Sequence, residues 1–108
     1  MTPKEILENK ISAAIQNNAD LAKKINASYR IELSGPQGGT WTIDTREATS
    51  GVRQADEPGQ CTISMTDENF VNLVKGTLNP MWAFTTGKIK ATDVNLAMKL
   101  GQILSKAK

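Results

Sequence analysis

The side chains best equipped for covalent or acid–base chemistry in this 108-residue chain are few: one cysteine, Cys61, no histidine, and the adjacent carboxylates Asp67 and Glu68. Without an imidazole there is no metal site built on histidine and no hydrolytic triad with a histidine base. Cys61 stands in an alternating stretch with Ile63 and Met65 on one side and Thr62 and Ser64 on the other. No basic residue adjoins it to draw out a thiolate, so it reads as a core cysteine rather than a nucleophile. Asp67 and Glu68 follow Thr66, where negative charge in a first helical turn complements the helix dipole without any catalytic role. The Gly35–Gly39 stretch carries neither a GxGxxG run nor a lysine followed by serine or threonine, and reads as a hairpin loop instead of a phosphate cradle. The expectation is a non-enzymatic protein with no catalytic residue, metal or cofactor.

What remains is apolar chemistry. Phe70, Leu73, Leu78, Met81, Trp82 and Phe84 precede a last apolar segment of Leu96, Leu100, Ile103 and Leu104. A filled core explains such stripes, and so does an interior left open for an apolar guest. The methionines Met81 and Met98 adapt to variable shapes, Ala97 and Gly101 leave volume beside them, and Trp82 suits a wall or mouth.

The elements that position these residues follow from period and capping. Thr2, Pro3 and Glu5 predict a helix start, and Ile6, Leu7, Ile11, Ala14 and Ile15 give it one apolar stripe. Asp20 is the predicted cap of a short second helix through Leu21, Ala22 and Ile25. Strands are predicted where apolar residues alternate: Tyr29, Ile31 and Leu33; Trp41 and Ile43; a polar edge from Ala48 to Gln54; Cys61, Ile63 and Met65; Ile89 and Ala91. Thr66 caps one further helix, Asn79 and Pro80 open another that Gly87 ends, and Thr92 or Asp93 begins the last. Periodicity alone predicts one α+β domain over residues 1–108, with helices on a single face of a largely antiparallel sheet.

The composition, 39% hydrophobic and 22% charged, is that of one compact domain, and a net charge of +2 with scattered lysines and arginines argues against a nucleic-acid partner. A lone cysteine suits a reducing compartment, and the first residues lack the pattern of a secretory signal. A cytoplasmic monomer, complete from Met1, is the expectation.

The segments Trp41-Thr-Ile-Asp44, Cys61-Thr-Ile-Ser-Met65, Asp67-Glu-Asn-Phe70, Gly76-Thr-Leu-Asn-Pro80, Gly87-Lys-Ile-Lys90 and Leu96-Ala-Met-Lys-Leu100 together resemble the sterol carrier protein 2 family, from about Ala27 to Leu104. The sequence departs at Met81 and Trp82, where members of that family often have a polar pair. The resemblance implies a five-stranded sheet covered on one face by about five helices. Between them it implies a hydrophobic tunnel that accepts a fatty acid, fatty acyl-CoA, phospholipid or sterol. The weakly basic surface is, separately, compatible with transient membrane contact. The expected ligand-binding residues are Ile11 and Ile15 of the first helix, Ile31 of the sheet, Phe70, Leu78, Met81, Trp82 and Phe84, and then Met98, Leu100, Ile103 and Leu104. Lys23 and Lys24, just before the first strand, are the candidate partners of an anionic headgroup. An alternative role is a substrate-presenting domain or accessory partner of a peroxisomal-type lipid-oxidation enzyme, with a peroxisomal location if the native chain is longer at its C-terminus or enters with a partner.

Overall fold

A computed structural model of the chain describes residues 2–46 and 51–107. The opening helix, α1, covers residues 3–17. The Thr2 hydroxyl oxygen accepts from the Glu5 N–H at 3.2 Å, and Pro3 supplies the preset first-turn backbone. Within α1, Ile6–Ile11 winds as a π-helix. Ordinary α winding would put Ile6 and Ile11 about 140° apart around the axis, whereas the looser π winding, with its hydrogen bonds reaching five residues, brings them toward one face. Both are fully buried, with Leu7 between them. The helix ends where the Asn18 side-chain amide donates to the Ala14 carbonyl at 2.8 Å. Helix α2 (Ala19–Ile25) starts one residue before the Asp20 cap expected from sequence, with Asn18 in the capping position.

Strands β1 (Ser28–Ser34), β2 (Gly39–Asp44), β3 (Val52–Gln54), β4 (Cys61–Thr66) and β5 (Lys90–Ala91) form one sheet in the order β3-β2-β1-β4-β5. β1 pairs antiparallel with β2, placing Ile31 opposite Trp41, and β2 with β3 and β4 with β5 are antiparallel as well. The central contact is different. β1 and β4 run parallel, with Tyr29 opposite Cys61 and Ile31 opposite Ile63, so the sheet is mixed at its centre. The third strand is shorter than its predicted span, of which Ala48 to Ser50 lie outside the described residues. β5 begins at Lys90, one residue after the predicted Ile89, and Ile89 is buried beside it.

Helices α3 (Asp67–Lys75), α4 (Pro80–Thr85) and α5 (Val94–Leu104) return across the same face as α1 and α2. Their starts are capped as the sequence dictates: Thr66 Oγ1 accepts from Asn69 N–H at 3.0 Å, Asn79 Oδ1 from Trp82 N–H at 3.1 Å, and Asp93 Oδ1 from Leu96 N–H at 3.1 Å. Thr92, the other candidate for the last cap, instead accepts from the Thr62 N–H at 2.9 Å and ties the chain to β4.

The two faces of the sheet differ in kind. On the open face Arg30 pairs with Glu32 at 2.7 Å and with Asp56 at 2.5 Å, Arg53 pairs with Glu57 at 2.9 Å, and Ser64 donates to Glu32 at 3.1 Å. The Arg30 hydrogen bond, helped by the Ser64 hydroxyl, holds the Glu32 carboxyl below the usual carboxylate range. The covered face carries the core: Ile6, Ile11, Ile15, Tyr29, Trp41, Ile43 and Ile103 are all at 2% exposure or less. Among the described residues no buried side-chain nitrogen or oxygen lacks a hydrogen-bond partner.

Candidate functional site

Between the sheet and helices α3 to α5 the packing leaves a cavity of about 520 Å³. Its floor is the inward-facing row Ile31 of β1 with Ile63 and Met65 of β4, set side by side by the parallel register. Phe70 and Leu73 of α3 form one wall, Met81 and Phe84 of α4 a second, and α5 the third through Ala97, Met98, Leu100, Gly101 and Leu104. The turn from Gly76 to Asn79 closes the gap between α3 and α4, and Ile89 fills the corner before β5. The cavity reaches the surface at Met81 and Met98, which line it while remaining more than half exposed.

Among the described residues the lining contains no ionisable side chain. Its polar side chains are Thr77, Asn79 and Ser105, and each makes a hydrogen bond elsewhere: Thr77 donates to Asn72 O, Asn79 accepts from Trp82 N–H, and Ser105 donates to Gln102 O. Such a space suits an apolar guest of any polar headgroup better than it suits recognition of one group. Its size falls within the roughly 300–1,000 Å³ of ordinary small-molecule sites.

Of the residues expected from sequence, Ile31, Phe70, Leu78, Met81, Phe84, Met98, Leu100 and Leu104 meet at this cavity. Ile11, Ile15 and Ile103 do not. They are at most 1% exposed and belong to the filled half of the core beneath α1 and α2. Trp82 is also outside the lining; it is 52% exposed on α4, with the Lys88 ammonium 5.4 Å from its ring centre. Lys23 and Lys24 occupy the last turn of α2, exposed and away from the cavity, where their charge complements the carbonyl end of that helix. Sequence reasoning missed Ile63, Met65 and Ile89 as lining residues. Their alternation showed that they point inward, and the pairing of β1 with β4 was the signal needed to set them beside Ile31.

Two bonds hold α5 over the sheet. The Tyr29 hydroxyl donates to the Leu96 carbonyl at 2.6 Å, and the Cys61 thiol donates to the Asp93 carbonyl at 3.4 Å. Both lie at the N-terminal end of the helix, whereas Gly101 and Leu104, toward its other end, face the cavity. Cys61 is wholly buried, as a core cysteine should be. Asp67 does more than favour its helix dipole: it accepts from the Gln37 N–H at 2.9 Å and fastens the β1–β2 loop, where Gly35 at φ +104° leaves no room for a Cβ against the Asp67 carboxyl.

The family model described as the SCP-2 sterol transfer family matches residues 8–105. The chain belongs to this family. Among solved SCP-2 folds, the sterol carrier protein domain 2 of Helicoverpa armigera superposes with a TM-score of 0.75 at 30% identity, covering 99% of this chain and 92% of that one. Non-specific lipid-transfer protein-like 1 of Caenorhabditis elegans is 31% identical over 104 residues, 93% of this chain and 88% of that protein. Peroxisomal multifunctional enzyme A of Dictyostelium discoideum is 35% identical over 109 aligned positions, which span 93% of this chain and 25% of that protein. The chain thus spans about a quarter of such a longer SCP-2 relative and about a fifth of others.

Proposed function

We propose that this chain is a non-enzymatic carrier that holds one lipid, a fatty acid, fatty acyl-CoA or sterol, with its apolar body in the cavity beneath α5. The observation that carries this reading is the lining itself: a deep apolar space open to the surface, with no ionisable side chain among the described residues that line it. Each ligand methylene taken from water into it contributes about 0.8 kcal/mol, so a long acyl chain binds firmly with little headgroup recognition. Family membership and the likeness to a lipid-transfer protein of similar length support the reading. Among the described residues no group of three or more metal-binding side chains comes together, and the buried Cys61 thiol donates to the Asp93 carbonyl.

A displacement titration tests it. A fluorescent fatty acid is bound to the delipidated protein and competed with palmitate, palmitoyl-CoA and cholesterol. Saturable one-to-one displacement is expected, and the ranking of competitors names the ligand class. A folded protein that binds none of them is not a carrier.

The second reading, a substrate-presenting domain of a lipid-oxidation enzyme, is supported by the multifunctional relative of which this chain covers a quarter. Both readings use the same cavity. Stable co-purification with an oxidation enzyme favours the second.

A further inference from the structure

A groove of about 360 Å³, separate from the apolar cavity, lies where β1 and β4 end beside β5. The strand register builds it. Glu32 faces Ser64 and Ser34 faces Thr66 across the parallel pair, and Ser64 faces Lys90 on β5. Lys88 and Lys90 line the groove, while Ile89 between them lines the cavity, as alternation along an extended chain requires.

The two ammonium groups have no carboxylate partner. Neither lysine makes an ion pair among the described residues. The Lys88 ammonium instead stands 5.4 Å from the Trp82 ring centre, a contact that places it without cancelling its charge. The one carboxylate of the lining, Glu32, is already engaged, accepting from Arg30 Nε at 2.7 Å and from Ser64 at 3.1 Å. Asp67, next along the chain from Thr66, is outside the lining and accepts from the Gln37 and Glu68 N–H groups. Hydroxyl groups complete the donor set. Thr66 Oγ1 accepts from the Asn69 N–H and keeps its own proton to donate, and the Ser34 hydroxyl is exposed opposite it. Two cations and two hydroxyl donors around one concavity match the several oxygens and higher charge of a phosphoryl group. A carboxylate, with one charge on two oxygens, would leave part of the set unused.

We propose that this groove binds a phosphoryl group, as a phosphomonoester or a diphosphate, with Lys88 and Lys90 as its cationic contacts and Ser34 and Thr66 as hydroxyl donors. Met65 lines the groove and the cavity alike, so the site stands one side chain away from a bound lipid. The phosphoryl group has two sources: the head of the cargo itself, as in an acyl-CoA, or a separate small molecule such as a nucleotide. Only the first source rests on the carrier reading.

The test titrates the 108-residue chain, labelled with ¹⁵N, with pyrophosphate and with coenzyme A at constant ionic strength. Saturable shifts are expected in the amide signals of Ser34, Thr66, Lys88 and Lys90. The double variant Lys88→Gln, Lys90→Gln is expected to bind both probes roughly tenfold or more weakly. Lys23→Gln with Lys24→Gln removes the same charge from the exposed end of α2 and is expected to change neither affinity. Competition against a fluorescent fatty acid then assigns the source. If palmitoyl-CoA outcompetes palmitate and the Lys88 and Lys90 variant loses that advantage, the phosphoryl group belongs to the cargo; any other ranking assigns it to a separate molecule. The proposal is overturned if neither probe moves the four signals, if the shifts do not saturate, or if the Lys23 and Lys24 variant weakens binding as much as the groove variant. Absence of palmitate binding strikes the carrier reading alone, because the groove is judged by pyrophosphate.

Discussion

The Tyr29 hydroxyl, inside the sheet, donates a 2.6 Å hydrogen bond to the Leu96 carbonyl of α5 and so joins the central strand to the helix that roofs the cavity. Tyr29 is fully buried. Burial pushes its phenol well above the ordinary range, and the neighbouring Cys61 and Asp93 push it further the same way. Because the folded state favours the neutral phenol, its contribution is complete below the ordinary phenol pKa of about 10 and is lost as pH rises beyond that. Tyr29→Phe is expected to cost about 1 kcal/mol in urea unfolding at neutral pH and to reduce the alkaline fall in stability above about pH 10. An unchanged alkaline slope in the variant would assign that fall to other groups.

Acid acts through different residues. Asp44 is 5% exposed, and its carboxyl oxygens accept from Arg46 Nε and Nη2, both at 2.9 Å. These bonds, with the Arg46 backbone N–H, hold its pKa below the ordinary carboxylate value against the opposing effect of burial. A depressed carboxyl contributes stability above its unfolded pKa and loses it as pH falls through the folded one. Unfolding free energy should therefore be level near neutrality and decline below about pH 4. Asp44→Asn should flatten part of that decline while lowering stability at pH 7, a pattern that denaturant melts across pH will read.

The cavity offers a paired test on one helix. A Cβ added at Gly101 of α5 meets nothing within 4 Å, so Gly101→Ala should raise stability by about 1 kcal/mol through helix propensity. Ala97, one turn earlier and only 9% exposed, also lines the cavity. Ala97→Leu places three more carbons in the space a guest needs, and fatty-acid affinity is expected to fall about tenfold, near the 1–3 kcal/mol cost of overpacking. A calorimetric titration giving wild-type affinity for Ala97→Leu would show that the guest lies elsewhere.

Cys61 provides a check on rigidity. With zero exposure and its thiol turned toward the Asp93 carbonyl, it should react with a thiol reagent such as DTNB only as the protein unfolds. The labelling rate should then track global stability across the Tyr29 and Asp44 variants. Rapid labelling of the native protein would mean that the start of α5 opens locally.

Much of the architecture was legible because local chemistry decides it. Thr66, Asn79 and Asp93 each cap a helix through their own side chain, and the alternation of Ile31 with Glu32 or Ile63 with Ser64 fixes which face is wet. The parallel junction of β1 with β4 was not legible, since an alternating strand pairs equally well in either direction. The π turn in α1 escaped because Ile6, Leu7 and Ile11 fit an approximate helical stripe whether or not the winding loosens. The same limit explains the site. Periodicity marks Ile11, Ile15 and Ile103 as inward just as it marks Ile31 and Leu100, and only tertiary placement separates the filled half of the core from the hollow half.

The mixed sheet also governs the order in which this molecule can be made. The β1–β2 hairpin closes locally, with Leu33 meeting Gly39 across a short turn, but the floor of the cavity waits for a pairing such as Glu32 with Ser64, 32 positions apart. Loop-closure entropy makes that second step dearer by roughly 1.5 kcal/mol. A folding chain therefore has its hairpin before it has a place for cargo. A lipid cannot template the early fold; it can only hold the finished one, and an arrested intermediate would show the hairpin formed and the apolar faces of β4, α3 and α5 still bare to aggregation.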